Sequence, residues 1–410
     1  METDRFSAFR HSSFARFFAA RFLTAMGTQI VSVAVSWDIY VQTGNPLLLG
    51  WIGLVQFLPA VLLVLVTGLA SDKFGRRLVM GVSILLEMAC ALAIFALAFA
   101  SQFNPVLILG ILTVFGVARA FLTPASSSLV VNVVPKEDFA NAIGWVTSAW
   151  QLASIAGPAI GGILVAISSP VAYGFAALVF AIAAFCIFSI AKPEQQLETA
   201  PVDLQTIIGG FKYIWNEKIV LGAISLDLFA VLLGGAVALM PIYAIDILEI
   251  GAIGNGLLRA APGIGAIAMI VYLVSFPIKD HAGAILFVTV ALFGLATAIF
   301  GISTIAWVSI VALMLVGAFD MISVYIREIL LQLWTPDRVR GRVNAVNSIF
   351  LGASNELGEF RAGFMAAVYG AVLTVTGGGI AAMGVAALWA KMFPSLRKAR
   401  YLEAPEVLDV

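Results

Sequence analysis

Charge is what this 410-residue chain has least of: Asp, Glu, Lys and Arg make up 11% of it, and 61% is hydrophobic. Soluble domains carry about 25% charged residues. A water-facing surface cannot be built from this composition, so the solvent for most of the chain is a lipid bilayer. From Pro46 to Ser71 there is no charge at all, and from Leu78 to Ala118 there is only Glu87. Histidine is almost missing: His11 and His281 are the only two, and no Cys/His cluster has metal-site spacing, so no metal centre is expected. Cys90 and Cys186 fall inside apolar runs and read as buried thiols, not a disulfide. No Gly-x4-Gly-Lys-[Ser/Thr] loop occurs, so ATP is not bound through a P-loop. Basic and acidic residues balance at 23 each, and no bulk basic surface points to nucleic acid. No cofactor is implied, and no nucleophile, base and metal constellation suggests an enzyme.

What is present is a series of apolar runs. A spanning helix needs about 20 apolar residues, and twelve such segments fit, at roughly 16–43, 46–71, 77–101, 105–130, 139–167, 170–191, 218–247, 251–277, 282–303, 305–330, 342–368 and 371–392. The basic and then apolar start resembles a signal peptide, but the run continues to Val41 and further spans follow, so it reads as the first membrane helix. Gly, Pro, Asn and Ser mark the short breaks: TGNP at 43–46, SQFNP at 101–105, SSP at 168–170 and GISTI at 301–305.

Lysine and arginine are distributed on one side only. Of the 23, 19 fall at the termini or in alternate breaks, including Arg5, Arg21, Lys73, Arg76, Arg77, Lys136, Lys192 and Arg340; the other breaks contain none. Cytoplasmic loops hold the positive charge, so both termini are expected in the cytoplasm, with an even number of spans. The four exceptions, Arg119, Arg259, Arg327 and Arg361, lie inside spans.

The expected domains are a six-helix bundle at 1–191, a cytoplasmic linker at 192–217 and a second six-helix bundle at 218–410. In the linker, KPEQQLETAP reads as flexible; Leu204, Ile207, Ile208, Phe211 and Trp215 then recur at helical spacing, which predicts an amphipathic helix on the membrane surface. The halves resemble each other at a nearly constant offset. WDIY at 37–40 matches MPIY at 240–243, and VPKEDFANA at 134–142 matches TPDRVRGRV at 335–343. GPAIGG at 157–162 falls on GEFRAG at 358–363, and Arg119 falls on Asp320. A duplicated bundle with a site between its halves is a secondary-transporter architecture.

Three motifs sharpen this reading. Gly68-x3-Asp72-Lys73-x-Gly75-Arg76-Arg77, between the second and third spans, resembles the signature loop of the major facilitator superfamily. Gly157-Pro158-x2-Gly161-Gly162 resembles that superfamily's antiporter motif, and Arg119 its membrane arginine, although Thr123 stands where a glycine usually follows. Pro336-x5-Arg342-Val-Asn-Ala-Val-Asn-Ser348 and GASNELGEF at 352–360 are similar to the branch containing the enterobactin exporter. The resemblance implies an all-α membrane protein with twelve transmembrane helices in two pseudo-symmetric six-helix bundles. It also implies proton antiport, export of siderophores or other amphipathic small molecules, and a bacterial cytoplasmic membrane location. The signature loop would then act as a cytoplasmic gate. Gly75 would permit its turn, Asp72 would cap a helix or pair with Arg76, and the arginines would anchor it inside. A plain topology anchor is the simpler alternative. Gly157, Gly161 and Gly162 admit a close helix neighbour, and Pro158 removes a backbone donor.

Charges inside spans are costly and face the interior of a bundle, where they mark substrate or proton paths. The candidates are Asp38, Glu87, Asp227, Asp320, Glu356 and Glu359 against Arg119 and Arg361. Arg119 is expected to pair with an interior carboxylate that gains and loses a proton; a static ion pair is the competing reading. Arg327 and Glu328, near the end of their span, read as a gate pair. Glu356 and Glu359 share a helix face, and two close carboxylates do not both ionise cheaply, which suits proton binding. Gln29, Ser32 and Ser36 form a polar stripe on the first span, and Trp150 and Gln151 stand on the fifth; they could line a cavity or simply pack. The expected partners are a small-molecule substrate, protons and membrane lipid, with no nucleic acid, in a monomer. Siderophore is the first substrate class, drugs or macrolides the second, and lipid a distant third; a non-transporting receptor on the same fold is the rival class.

Overall fold

The computed structural model describes residues 5–192, 204–278 and 280–400; the KPEQQLETAP segment after Lys192 and Lys279 lie outside the described residues, as do the side chains of 64, 65, 68, 69, 72, 204–208, 337 and 338 within helices. Fifteen α-helices follow in order: α1 Ser12–Thr43, α2 Pro46–Phe74, α3 Arg76–Phe99, α4 Pro105–Val133, α5 Phe139–Ile167, α6 Ser169–Phe188, α7 Leu204–Asn216, α8 Lys218–Gly234, α9 Met240–Ile242, α10 Gly251–Ser275, α11 Ala282–Ile302, α12 Ala306–Trp334, α13 Asp337–Tyr369, α14 Ala371–Met392 and α15 Pro394–Arg397. Among the described residues, eleven helices are long and apolar enough to cross a membrane. The twelfth expected span is α13. It is 33 residues long, but Arg340, Arg342, Glu356, Glu359 and Arg361 make it too polar to register by composition.

The breaks work by capping. Gly44 ends α1 in the left-handed region at φ 59, Asn45 accepts from the Leu47 amide, and Pro46 starts α2. Asn104 accepts from the amides of Val106 and Leu107 ahead of Pro105, and Ser168 accepts from Val171 ahead of α6. Each cap satisfies a helix-end donor that the bilayer would leave unpaired.

Contacts divide the chain into two compact units, Met1–Pro201 with Glu249–Ala260, and Val202–Leu248 with Ala261–Val410. In the first, α1 packs on α5 and α6, α2 on α4, and α3 on α4 and α6. The first ten residues of α10 belong with it because small residues meet: a Cβ on Gly162 would lie 2.7 Å from the Ala252 carbonyl oxygen and 2.8 Å from Gly256 Cα. In the second, α8 packs on α13 and α14, and α11 on α12 and α14.

The expected span 218–247 is present, but it is not one regular helix. α8 stops at Gly234, Gly235 leaves helical geometry, and a 3-10 turn, α9 and a π-helical stretch Tyr243–Ile247 follow. The amphipathic helix α7 forms, but it packs on α13. Among its described residues Ile214 is buried and joins Val220, Ile224, Leu331, Val343 and Val346, while Trp215 is 74% exposed. Phe211 of the expected stripe packs on Phe350 of α13 with ring centroids 5.4 Å apart, and Tyr213 Oη donates to the Trp334 carbonyl at 2.9 Å; the side chains of Leu204, Ile207 and Ile208 lie outside the described residues.

Candidate functional site

In the first bundle the polar interior is built from α1 to α4. Glu87 on α3 is 0% exposed, and neither carboxylate oxygen makes a hydrogen bond to the described residues. The cations that act on it are Arg119 of α4 and Arg21 of α1. Arg119 donates from Nη1 to Gln56 Oε1 of α2 at 3.2 Å. Arg21, counted above with the basic ends, thus lies in the third turn of α1 and serves the interior.

Asp38 is placed differently. Ser169 Oγ and Tyr173 Oη donate to it, the latter at 2.8 Å, which ties α1 to α6. Ser36 is buried and donates to the carbonyls of Ser32 and Val33 on its own helix, so it lines nothing. Ser32 instead accepts from Arg259 Nη1 at 2.9 Å. Gln29 lies against Gly157, where a Cβ would come within 2.5 Å of it. Trp150 is 45% exposed and Gln151 half-buried on α5.

The second bundle pairs its charges. Arg327 of α12 is 2% exposed and forms an ion pair with Asp227 of α8. The expected gate pair of Arg327 and Glu328 is therefore absent: the guanidinium goes to the interior aspartate, and Glu328 accepts from Asn347 Nδ2 at 3.3 Å. Asp320, Ser323 and Asp227 border a small recess. Arg361 of α13 finds its partners in the backbone. Its Nε donates to the Leu232 carbonyl at 2.8 Å and Nη2 to the Gly235 carbonyl at 3.5 Å. These carbonyls belong to the broken end of α8, where no following turn satisfies them. Sequence reasoning missed this cap, although the pair Gly234-Gly235 ahead of Pro241 carried the signal. Glu356 and Glu359 stand half-buried on the same helix. Among the described residues no group of three or more His, Cys, Asp or Glu could hold a metal ion.

Residues 17–354 match the sequence model of the Major Facilitator Superfamily. The chain belongs to this superfamily. It is 27% identical to the multidrug efflux pump Tap of Mycobacterium tuberculosis over 363 residues, 84% of each chain. It is 22% identical to the enterobactin exporter EntS of Citrobacter koseri over 405 residues, 97% of this chain and 95% of the other. A bacterial homologue of the lysosomal transporter Spinster, inward-facing and occupied, aligns with TM-score 0.73 at 11% identity over 98% of this chain and all of that one. A D-xylose-proton symporter aligns with TM-score 0.71 at 13% identity over 94% and 98%. These two establish fold alone. The protein is a multi-pass membrane transporter of small molecules.

The superfamily motifs now have places. Gly75 joins α2 to α3 at φ 92. Asp72 lies in the last turn of α2, but its side chain, and with it the expected cap or pairing with Arg76, lies outside the described residues. Arg76 donates to the Ser128 carbonyl and to Asn132 at the end of α4, and Arg77 to the Phe188 carbonyl ending α6. Cations at helix C-termini meet the negative end of the dipole and unpaired carbonyls. Gly157 packs against α1 beside Met26 and Gln29, Gly161 beside Ile30 and Val33, and Pro158 is buried among them.

Proposed function

We propose that the protein exports an amphipathic small molecule, a siderophore in the first instance, in exchange for protons. Alternating access would rock one bundle against the other. The observation that carries the coupling is Glu87: fully buried, without a hydrogen bond, and acted on by Arg119 and Arg21. A carboxylate in that setting changes charge without breaking a hydrogen bond, so its protonation is felt mainly by the two arginines. Deprotonation draws Arg119 from Gln56, and protonation returns it, which alters the contact between α2 and α4. Arg361 and the Glu356/Glu359 face serve the substrate path at the broken α8, and the loop containing Gly68, Asp72, Gly75, Arg76 and Arg77 works as the gate on the cytoplasmic side. The relatives' printed functions, efflux and export, support the outward direction. Both termini lie in the cytoplasm of a bacterial cell, and the transporter acts as a monomer within lipid.

Transport in proteoliposomes with an imposed pH gradient tests this. Catecholate siderophores and lipophilic cationic drugs are offered in turn. Flux that ignores the gradient for every accepted compound would falsify the coupling. The second reading, multidrug efflux, is favoured by the higher identity to Tap; acceptance of several unrelated drugs with rejection of every siderophore would select it.

A further inference from the structure

Two arginines from different helices converge on one helix end in the first bundle. Arg77, in the first turn of α3, donates from Nη2 to the Phe188 carbonyl at 2.9 Å, and Arg16, in the second turn of α1, donates from Nη1 to the Ser189 carbonyl. Phe188 and Ser189 are consecutive, with Cα atoms about 3.8 Å apart, so the two guanidiniums lie side by side. Packing sets this up. α6 packs on both α1 and α3, and the Phe188 ring sits on Gly81 of α3, where a Cβ would overlap it.

The end of α6 uses only part of this charge. A helix C-terminus offers about half a negative elementary charge, against two whole cations. Each guanidinium has several N–H donors and spends one of them on a carbonyl; neither has a carboxylate partner among the described residues. Lys192, exposed three residues past Ser189, adds a third cation. Apolar stripes begin within a turn of the arginines and run into the spans. On α6 they are Phe185, Ile182 and Leu178, with Phe185 74% exposed; on α3 they are Leu78, Val82 and Leu85, all exposed. In a multi-pass membrane protein such faces meet acyl chains.

A ligand that uses both parts has an anionic head and apolar tails. A soluble anion would leave the stripes unused. A second copy of this chain on the same face would bring a second cluster of cations to it. A zwitterionic lipid brings its own ammonium to the arginines. A phosphodiester without a balancing ammonium fits, because a guanidinium fork matches two phosphate oxygens. We propose that the ends of α1, α3 and α6 form a binding site for an anionic phospholipid of the phosphatidylglycerol class. Arg16 and Arg77 hold its phosphate, with Lys192 beside them, and its acyl chains lie along the α3 and α6 stripes. The lipid pins three helices through the one terminus they share. The site does not depend on what the transporter carries.

Native mass spectrometry of the full-length protein with added phosphatidylglycerol, phosphatidylethanolamine or phosphatidylcholine tests it, with melting temperature in the same detergent as a second reading. Phosphatidylglycerol is expected to stay bound where the other two are lost, and to raise the melting temperature. A basic residue beside an anionic lipid contributes about fivefold in affinity, so Arg16→Gln and Arg77→Gln should each weaken retention about fivefold and the pair about 25-fold. Lys391→Gln, at the end of α14 in the second bundle, should bind as wild type; an equal loss there would reduce the effect to bulk charge and overturn the proposal. Equal retention of phosphatidylcholine overturns it too. So does inorganic phosphate that raises the melting temperature as much as the lipid does, in favour of a soluble-anion site. Dimers that Phe185→Gln disperses, with phosphatidylglycerol retention unchanged, would give the face to a second copy instead. Should the arginine variants fail to fold, Lys192→Glu decides the matter: it removes no helix cap, and unchanged retention there counts against the site.

Discussion

The two bundles can be matched position to position in the sequence, yet they treat buried charge in opposite ways. In the first, the carboxylate Glu87 has no hydrogen bond, and Arg119 is held by a neutral glutamine. In the second, Asp227 and Arg327 are joined directly, and the position matching Arg119 is Asp320. The backbone differs as well. α1 runs unbroken for 32 residues, whereas its counterpart stops at Gly234 and has an arginine on its free carbonyls. One bundle is thus straight with a loose charge, and the other is broken with a fixed one. A loose charge can change protonation at little structural cost; a fixed ion pair holds helices in register.

The sharpest way to break this contrast is to remove one partner from each bundle. Asp227→Ala leaves Arg327 buried and unpaired and is expected to cost about 3–5 kcal/mol, read as a large drop in melting temperature, with most of it recovered in the double variant Asp227→Ala/Arg327→Met. Glu87→Gln should leave the melting temperature where it was while gradient-driven flux falls to that of empty liposomes. If Glu87→Gln destabilises as much as Asp227→Ala, the bundles are alike after all. Arg361→Met strips the donors from Leu232 and Gly235 and is expected to cost about 1–3 kcal/mol; the equivalent measurement for Asp38→Asn, whose oxygen still accepts from one of Ser169 and Tyr173 while its NH2 donates to the other hydroxyl, should show less. Gly162→Ala forces a methyl against Ala252 and Gly256 and should cost about 1–3 kcal/mol. Gly144→Ala, with nothing within 4 Å, should cost nothing measurable.

The smallest effect concerns the connection between α10 and α11. Arg400 donates to both oxygens of Asp280, at 3.1 and 2.8 Å, and this holds the Asp280 carboxyl below its ordinary value. A lowered carboxylate stabilises above its unfolded pKa and loses that contribution as pH falls through the lower folded one. The amides of Ala282 and Gly283, which donate to the carbonyls of Arg400 and Ala399, should therefore lose protection at acid pH. Arg400→Gln should lower that protection at neutral pH, and the difference between variant and wild type should close as the medium is acidified. A difference in hydrogen exchange that stays constant with pH would remove Asp280 from the argument.

Much of the fold was legible along the chain, because a bilayer demands long apolar helices and short capped turns. The helix from Phe139 to Ile167 and that from Ala371 to Met392 fall where the apolar runs predicted, and Asn45-Pro46 and Asn104-Pro105 mark helix starts by a local mechanism. The site was legible only as a set of residue types. Their cost in lipid identified Glu87, Asp227, Asp320 and Arg361 as interior groups, since no apolar run keeps a charge without a reason.

Partnership was decided in three dimensions. Periodicity placed Arg327 beside Glu328 and on the face of Asp320, but packing of α8 against α12 gave it Asp227. Ser36 shares a stripe with Ser32 on paper, yet one is sealed in its own helix and the other accepts from Arg259, more than 200 residues away. By itself the sequence determined composition, span positions, sidedness of charge and which residues are too costly to be idle. The tertiary structure alone decided which buried charges are neutralised, because an ion pair or its absence depends on distances of a few ångströms between helices that are remote in the chain.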